Sequence, residues 1–348
     1  MLDSSLKPKD LSRVTIADVA EQAGVSIATV SRVLNHTAPV ATETAAQVQS
    51  VIDDLGYTPS AAARNLASRK TYTLGLLLPD ISSDFFPPLL RGIEAGAREN
   101  DYGLLISTQK ICKPSTGFNR PLGEHNTDGM LIFTDSLNND EMARLHGLGF
   151  PMVLLYQSPP NDLNIPGVAF ENKSGSRKLI DHLVEIHGYR RIAFLKGPED
   201  NEDSFWREIG YREALEAHGI PFDPQLVAVG GFNEKGARTP VENWLRESIG
   251  IDAIFAGDDN TASGVIATLK TADKRVPEDI AVVGFDDILT SRYLTPPLTT
   301  VRAPIETAGY EAVQKLIRLI QKETVETLTL LPTELVIRWS CGCNKRDD

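Results

Sequence analysis

The chain has 348 residues, 41% of them hydrophobic, which is enough for two or three domains with their own cores. Its formal net charge of −12 argues against broad electrostatic binding of nucleic acid. No apolar run reaches membrane length and the N-terminus lacks a hydrophobic signal core, so we expect a cytoplasmic protein with no membrane partner.

Residues 1–12 are predicted to be a disordered tail, and the pattern that follows is typical of a helix-turn-helix. Thr15 is the predicted N-cap of the first helix, with Asp18 at capping-box spacing. Gly24 supplies the left-handed residue of a tight turn, and Ser26 begins the second helix.

The second helix has two different faces. Its apolar face, predicted to pack inward, consists of Val30, Val33 and Leu34. The other face carries Ile27, Ala28 and Arg32, and in a DNA-binding helix-turn-helix the start of this helix enters the major groove. A plain helical hairpin would show the same spacing, so both interpretations stay open at this point.

A third helix completes a predicted headpiece over residues 13–57, and residues 58–72 follow as a hinge. Pro59 precedes SAAARNLAS, which has high helix propensity but is only about two turns long. Isolated helices shorter than about 12–15 residues are marginal in water. We expect this stretch to fold only when packed on something; an ordinary linker is the alternative.

From residue 73 the pattern changes to short apolar runs separated by amphipathic stretches, which predicts buried parallel strands in βαβ units. About nine strands indicate two doubly wound lobes. The predicted fold class is therefore α/β, with an all-α headpiece and a two-lobed domain over residues 73–340. The runs are TLGLLLP, YGLLIST, GMLIF, PMVLLY, GVAF, RIAFLKG, LVAVGG, DAIFAG and IAVVGF.

Ligands of such sheets bind outside the carboxyl ends of the strands, so residues directly after the runs are candidates for a site. These are Asp80, Ser82, Phe85, Phe86, Phe232 and the pairs Asp258–Asp259 and Asp286–Asp287. Arg207 comes later, in the stretch after RIAFLKG, and is a candidate only through the family resemblance given below. Each has a purely structural alternative. The Phe85–Phe86 pair could cap the lobe, Phe232 could pack in the core, and one aspartate of each pair could cap the following helix. Arg207 could be a surface residue paired with Glu202 or Glu208.

The chain resembles LacI/GalR-family transcription regulators in an ordered set of strings from Val14 to Cys341. The N-terminal strings are VSIATVSRVLN and LGYTPSAAARNLASRK. Those that follow are GIEAGAREN, RRIAFLKGPED, GYREALEAHGI, DAIFAGDDNTASG, VPEDIAVVGFDD, TPPLTTV and LPTELVIRWSC.

The resemblance implies a homodimer in which each headpiece reads one half of a palindromic, double-stranded operator. Arg32 would make a bidentate contact to guanine, and Ile27 would face a thymine methyl. Leu66 would wedge into the minor groove from the hinge. The other implied DNA contacts are Thr15, Ser26, Ala28, Thr29, Ser31, Asn35 and Ala63. The Ile27–Ala28 pair resembles the galactose-repressor branch, which implies an operator centred on a CG step.

The resemblance also implies a periplasmic-binding-protein-like effector domain that takes a sugar or sugar derivative. The effector residues would be Ser82, Phe85, Phe86, Arg207, Phe232, Asp258 and Asp286. A guanidinium that faces carboxylates, beside an aromatic plane, suits sugar hydroxyls. The first lobe would comprise about 73–170 and 298–330, and the second about 171–297 and 331–340, leaving 341–348 as a tail. Inducer and corepressor are equally compatible with this arrangement.

The sequence departs from the family in two places. Asp258 stands where the family commonly has Asn, which admits a more basic or donor-rich ligand. Residues 109–127 lack the apolar period of the helix expected at the dimer face, since prolines and glycines interrupt it. That segment puts the predicted dimer in doubt.

Neither catalysis nor metal binding is predicted. The chain has no GxSxG elbow, P-loop, HExxH or strand-linked GxGxxG motif, so an enzyme on a Rossmann-like sheet has no catalytic group to name. A zinc site would need four ligands at recognisable spacing; Cys112, Cys341 and Cys343 are therefore interpreted as structural or incidental. No cofactor is expected. The rival function is a sugar-binding protein of the periplasmic type.

Overall fold

The computed structural model describes residues 14–35, 38–57, 70–108, 122–160 and 163–343. The chain divides into two compact units, Met1–Thr71 and Tyr72–Asp348. Three predictions lie outside the described residues: the tail over 1–12, the hinge positions Ala63 and Leu66, and the part of the atypical segment over 109–121.

The described residues of the first unit form three helices, α1 (Ile16–Gln22), α2 (Ile27–Asn35) and α3 (Thr42–Leu55). The predicted capping box is present, since Thr15 and Asp18 bond reciprocally at the start of α1. Gly24 has a φ of +63°, which a residue with a Cβ adopts only at a cost, so it allows the tight turn. The fully buried core is small and consists of Val19, Ala20, Ala23, Val30, Val48, Ile52 and Tyr57.

The second unit contains twelve strands among its described residues. They are β1 (Thr73–Leu78), β2 (Gly103–Thr108), β3 (Gly129–Phe133), β4 (Met152–Leu155), β5 (Gly167–Phe170), β6 (Ile192–Lys196), β7 (Val227–Val229), β8 (Ala253–Ala256), β9 (Ala281–Asp286), β10 (Thr299–Arg302), β11 (Leu328–Leu331) and β12 (Glu334–Val336). The nine predicted apolar runs correspond to β1 through β9. The other three strands are short and were not predicted.

The strands form two six-stranded sheets, one in each lobe. The first lobe has the order β11-β5-β4-β3-β1-β2, and every neighbouring pair is parallel. The second has the order β12-β10-β9-β8-β6-β7, in which only the edge strand β12 is antiparallel. In each sheet the strand order reverses beside its first strand, β1 or β6, which places a topological switch point there.

Seven α-helices of the described ranges cover these sheets. They are α4 (Phe86–Glu99), α5 (Asn139–Gly147), α6 (Asn172–His187), α7 (Glu202–Ala217), α8 (Glu234–Arg246), α9 (Asp259–Thr271) and α10 (Ile305–Ile320). Helices α4 and α10 approach closely through glycine: a Cβ on Gly92 would overlap the carbonyl oxygen of Glu306, and one on Gly309 that of Leu89. No helix in the described ranges is long and apolar enough to cross a bilayer.

Two predicted segment boundaries are wrong. Residues 299–302 form β10 in the second sheet, where Thr299 pairs with Val283, so the chain returns to the first lobe after residue 302 and not at 298. Residue 341 is not in a tail, because Cys341 is fully buried in the core of the second unit. Hydrogen bonds hold this end of the chain in place; Ser340 Oγ accepts from the Thr299 backbone N–H at 2.8 Å.

Candidate functional site

A cavity of about 570 Å³ lies where the carboxyl ends of strands from both sheets meet. We call it the inter-lobe cavity. Its lining residues follow β1 and β3 of the first lobe and β6, β7, β8 and β9 of the second. The lobes also bond across it, since Asn260 Nδ2 donates to Ser83 Oγ at 3.1 Å. The position agrees with the rule that doubly wound sheets bind ligands at their switch points.

Arg207 is the centre of the polar wall of this cavity. It lies on α7 and is 2% exposed. Its Nε donates to Asn172 Oδ1 at 2.9 Å, one terminal nitrogen donates to the Gly257 carbonyl at 2.6 Å, and the other donates to Asp286 Oδ1 at 3.0 Å. The guanidinium carbon also lies 3.8 Å from the centre of the Phe285 ring. These contacts exclude the surface-arginine interpretation.

In each of the pairs Asp258–Asp259 and Asp286–Asp287, the two side chains point to different places. The first member of each pair, Asp258 or Asp286, lines the cavity, and Asp258 also caps α9 by accepting from the Thr261 backbone N–H at 3.0 Å. The second member points into the second lobe. Asp259 accepts from Thr300 Oγ1 at 2.6 Å, and Asp287 accepts from Arg302 Nε at 2.8 Å.

The cavity carboxyl groups titrate unusually because they are buried. Burial raises the pKa of Asp286 to about 7, although Arg207 opposes the rise. Burial likewise raises the pKa of Asp203 to about 6; Arg207 and a hydrogen bond from Asn172 lower it in part. Across the cavity, the pKa of Asp135 is raised by burial and by the charge of Asp200. Near neutral pH some of these groups are therefore partly protonated.

The cavity wall is strongly acidic and partly aromatic. Seven acidic side chains line it against a single basic one, Arg207. The acidic residues are Asp80, Asp135, Glu199, Asp200, Asp203, Asp258 and Asp286. On the first lobe Phe85, Phe86 and Phe133 pack edge-on or tilted against one another, with ring centres 5.4–6.0 Å apart. Such a wall disfavours anionic ligands and suits a compound with both apolar faces and hydrogen-bond donors.

Two cavity residues lie in the left-handed region of the backbone. Asp286 has a φ of +106° and Phe232 a φ of +56°. Conformations of this kind cost on the order of 1–3 kcal/mol for a non-glycine residue and are maintained only where the surroundings impose them. Phe232 is held against Gly197, where a Cβ would overlap its ring, and so it projects into the cavity wall.

The structure brings together six of the seven predicted effector residues: Phe85, Phe86, Arg207, Phe232, Asp258 and Asp286. Ser82 is not among the lining residues; its hydroxyl donates to Asp80 Oδ1 at 3.0 Å, and its neighbour Ser83 faces the cavity instead. Sequence reasoning missed Asn172 and Asp203, which bond to each other at 2.7 Å beside Arg207. Asp203 and Arg207 have the i,i+4 spacing of one helix face, a signal that was available.

A second cavity of about 580 Å³ adjoins Asp203 on its other side. It is lined by α6, α7 and residues that follow β4 and β5, together with Leu328 and Leu330 of the edge strand β11. Strand ends of the first sheet alone reach it, and the Arg207 guanidinium does not line it. The inter-lobe cavity is therefore the better candidate for a binding site.

The first unit presents a polar face at the start of α2. Ser26, Ile27, Ala28 and Arg32 are exposed, and Ile27 is 52% exposed despite its apolar side chain. The hydroxyl groups on this face bond locally: Ser26 Oγ accepts from the Thr29 N–H at 3.1 Å, and Ser31 Oγ accepts from Asn35 Nδ2 at 3.2 Å. An exposed isoleucine between short polar side chains is compatible with contact to base edges.

Two family descriptions match the chain. "Bacterial regulatory proteins, lacI family" matches residues 15–60, and "Periplasmic binding protein-like domain" matches residues 180–341. The HTH-type transcriptional regulator RegA of Clostridium saccharobutylicum is 33% identical over 94% of this chain and 98% of its own length. The ribose operon repressor of Halalkalibacterium halodurans is 35% identical over 93% and 96%.

Solved structures are similar over the same extent. The lac repressor dimer bound to operator and the anti-inducer ONPF has a TM-score of 0.81 and 26% identity, and covers 95% of this chain and 99% of that one. A complex of the transcriptional regulator CelR with cellobiose has a TM-score of 0.68 and 30% identity, over 94% and 100%. The likeness therefore includes both the DNA-binding part and the two lobes.

Proposed function

The chain belongs to the lacI family of bacterial regulatory proteins, and from that premise we propose that it is a cytoplasmic, sequence-specific repressor controlled by a sugar-like effector. The main support for an effector site is the position of Arg207, which is buried in the inter-lobe cavity and hydrogen-bonded to Asn172 and Asp286. In this proposal the Arg207 side chain binds the effector and catalyses no reaction. Relatives support this reading, since one is named a ribose operon repressor and a similar structure contains cellobiose.

On the DNA side, we propose that a homodimer reads a palindromic operator with the exposed face of α2. Arg32 is exposed and can reach a guanine edge, and Ile27 offers apolar surface to a thymine methyl. Thr15, Ser26, Ala28, Thr29, Ser31 and Asn35 would contact phosphates or neighbouring bases. Leu66 and Ala63 remain proposed minor-groove contacts from outside the described residues. With a net charge of −12, non-specific affinity should be weak and sensitive to salt.

On the effector side, we propose an uncharged, hydroxyl-rich ligand. Arg207 has five N–H donors, of which three serve contacts within the protein, so two remain for ligand oxygens. The carboxyl groups of Asp258 and Asp286 would accept from ligand hydroxyls, and Phe85 or Phe232 would cover an apolar ring face. Seven acidic side chains would repel a sugar phosphate. An effector changes operator affinity only by the difference in its affinity for the two states.

The test is selection of operator DNA from a random pool, by the full chain at moderate salt, with and without a panel of neutral sugars and their phosphates. We expect a palindrome, and a neutral sugar should change its recovery while its phosphate does not. Arg32→Ala should weaken enrichment and keep sugar binding by calorimetry, whereas Arg207→Ala should abolish sugar binding and with it any response of the enrichment to sugar. Sugar binding with no enriched DNA under any condition would favour the periplasmic-type sugar-binding protein.

A further inference from the structure

Four side chains with metal-binding atoms converge at the end of α6, away from the inter-lobe cavity. His182 and His187 come from α6, and Cys341 and Cys343 from the segment after β12. Their four ligand atoms all lie within 4.8 Å of one another. Cys341 is fully buried, His182 is 8% exposed, and the other two are half-buried.

The separations fit one tetrahedral ion. His182 Nε2 lies 3.6 Å from the sulfur of Cys341 and 3.6 Å from that of Cys343. Cys343 Sγ lies 3.4 Å from His187 Nε2. In a tetrahedral site with Zn–S of about 2.3 Å and Zn–N of about 2.0–2.1 Å, a sulfur and a nitrogen are about 3.6 Å apart.

Hydrogen bonds alone cannot satisfy this arrangement. A neutral imidazole nitrogen has one lone pair or one proton, so His182 Nε2 makes one such bond, yet it faces two sulfurs. A cation bound to two thiolates and two neutral imidazoles accounts for all the short separations together.

The surroundings favour metal-binding forms of these groups. Thr299 Oγ1 donates to the Cys341 sulfur at 3.1 Å, a bond that supports a thiolate. The His187 ring stacks on Tyr189 with centres 5.2 Å apart, and the Tyr189 hydroxyl donates to the Cys341 carbonyl. These contacts fix the orientation of both ligand-bearing segments.

We propose that His182, His187, Cys341 and Cys343 form a structural site for Zn²⁺ or a similar borderline-soft divalent cation. Two cysteines and two histidines fill the four positions that zinc takes in structural sites, which leaves none for a substrate. Gly342, at a φ of +103°, forms the turn that lets both cysteines face one point. The ion would fasten the end of the chain to α6.

The first experiment uses the wild-type full chain without a polyhistidine tag, reduced and stripped with a chelator. Titration with Co²⁺ should give the d–d absorption of tetrahedral cobalt and a thiolate-to-cobalt charge-transfer band that saturate at one ion per chain. Added Zn²⁺ should remove both bands. Absence of these bands with excess Co²⁺ would overturn the proposal, and this result needs no variant.

Variants then locate the ion. Cys343→Ser and His187→Gln remove half-buried ligands and should weaken metal affinity by more than about tenfold, beyond the loss typical of an outer-shell partner. Cys112→Ser is the matched control, since it removes a thiol but none of the four ligands. A chelator should lower the melting temperature of the wild type and of Cys112→Ser, but not of Cys343→Ser. Equal metal binding by all of these proteins would also overturn the assignment.

Discussion

The face of α2 and the Arg207 cluster are both polar, but their hydrogen bonds differ in range. On the first, Ser26 bonds to Thr29 and Asn35 to Ser31, partners three and four residues apart. In the second, Arg207 bonds to residues 35, 50 and 79 positions away. A local surface can change its binding specificity without loss of fold, whereas a long-range cluster couples ligand binding to the stability of the whole lobe.

Arg207→Ala should have the largest effect. It leaves the buried carboxyl groups of Asp203 and Asp286 without their positive partner, and breaking a buried pair in this way costs about 3–5 kcal/mol. Urea denaturation should show that loss in the free energy of unfolding, and calorimetry should show no sugar binding. Arg238→Ala, an exposed arginine paired with Glu242, should change neither. Unchanged stability of the Arg207 variant would remove the contrast between the two regions.

Arg32→Ala should weaken operator binding by about 1–3 kcal/mol, the usual value of a bidentate base contact. The melting temperature and sugar affinity should stay at wild-type values, since the side chain is exposed on α2. Fluorescence anisotropy with the selected operator measures the first, and calorimetry the second. Gln49→Ala, on the exposed surface of α3, is the control. A large fall in melting temperature would show that this face also supports the fold.

Sugar affinity should rise with pH through the pKa values of Asp203, about 6, and Asp286, about 7. Ionised carboxylates accept hydroxyl protons more strongly, so the gain between pH 6 and 8 should approach about tenfold. Asp286→Asn should flatten the upper part of the calorimetric profile. A profile that falls with pH would mean that the protonated carboxyl donates to the ligand.

The carboxyl groups of Asp203 and Asp286 affect the free energy of unfolding in the opposite direction: it should fall as pH rises. Their pKa values are raised above 3.8 on folding, so the folded state holds protons that the unfolded state releases. Their contribution to the free energy of unfolding is therefore fully present below about pH 4 and declines as pH rises to about 7. Urea titrations at several pH values should show that this decline is smaller in Asp286→Asn.

Thr15→Ala should have the smallest effect, about 1 kcal/mol, because it removes one helix cap. Amide hydrogen exchange in the full chain should be faster over α1 and unchanged over α7. Thr15→Ser keeps a capping oxygen and should restore protection. Faster exchange in α7 as well would indicate that the two units unfold together.

The strands were predictable where both faces of a sheet are covered, because such strands read as unbroken apolar runs. For example, β1 and β8 are buried along nearly their whole length. Edge strands β11 and β12 are short and half-exposed, so they lack this signal. Strand β10 is buried, but its sequence TTVR is mostly polar, and no feature of the local sequence indicates which sheet it joins.

Site residues were predictable where they follow a strand directly. Strand position identified the pairs Asp258–Asp259 and Asp286–Asp287, and the family resemblance indicated the first member of each. The burial of Asp259 and Asp287 depends on partners far along the chain. The His182–Cys341 cluster could not be predicted for the same reason: its two halves come from opposite ends of the second lobe. No spacing rule connects segments that only the folded sheet brings together.

The late position of β11, β12 and the final cysteines has a consequence for synthesis on the ribosome. The headpiece is a continuous segment, so it can fold as soon as it leaves the exit tunnel. Both sheets, by contrast, receive an edge strand from residues 328–336, and the core of the second lobe includes Cys341. Chains elongate at about 5–20 residues per second, so nascent lobes wait unfinished for several seconds. Completion of the two lobes is then nearly simultaneous, because both depend on residues 328–341.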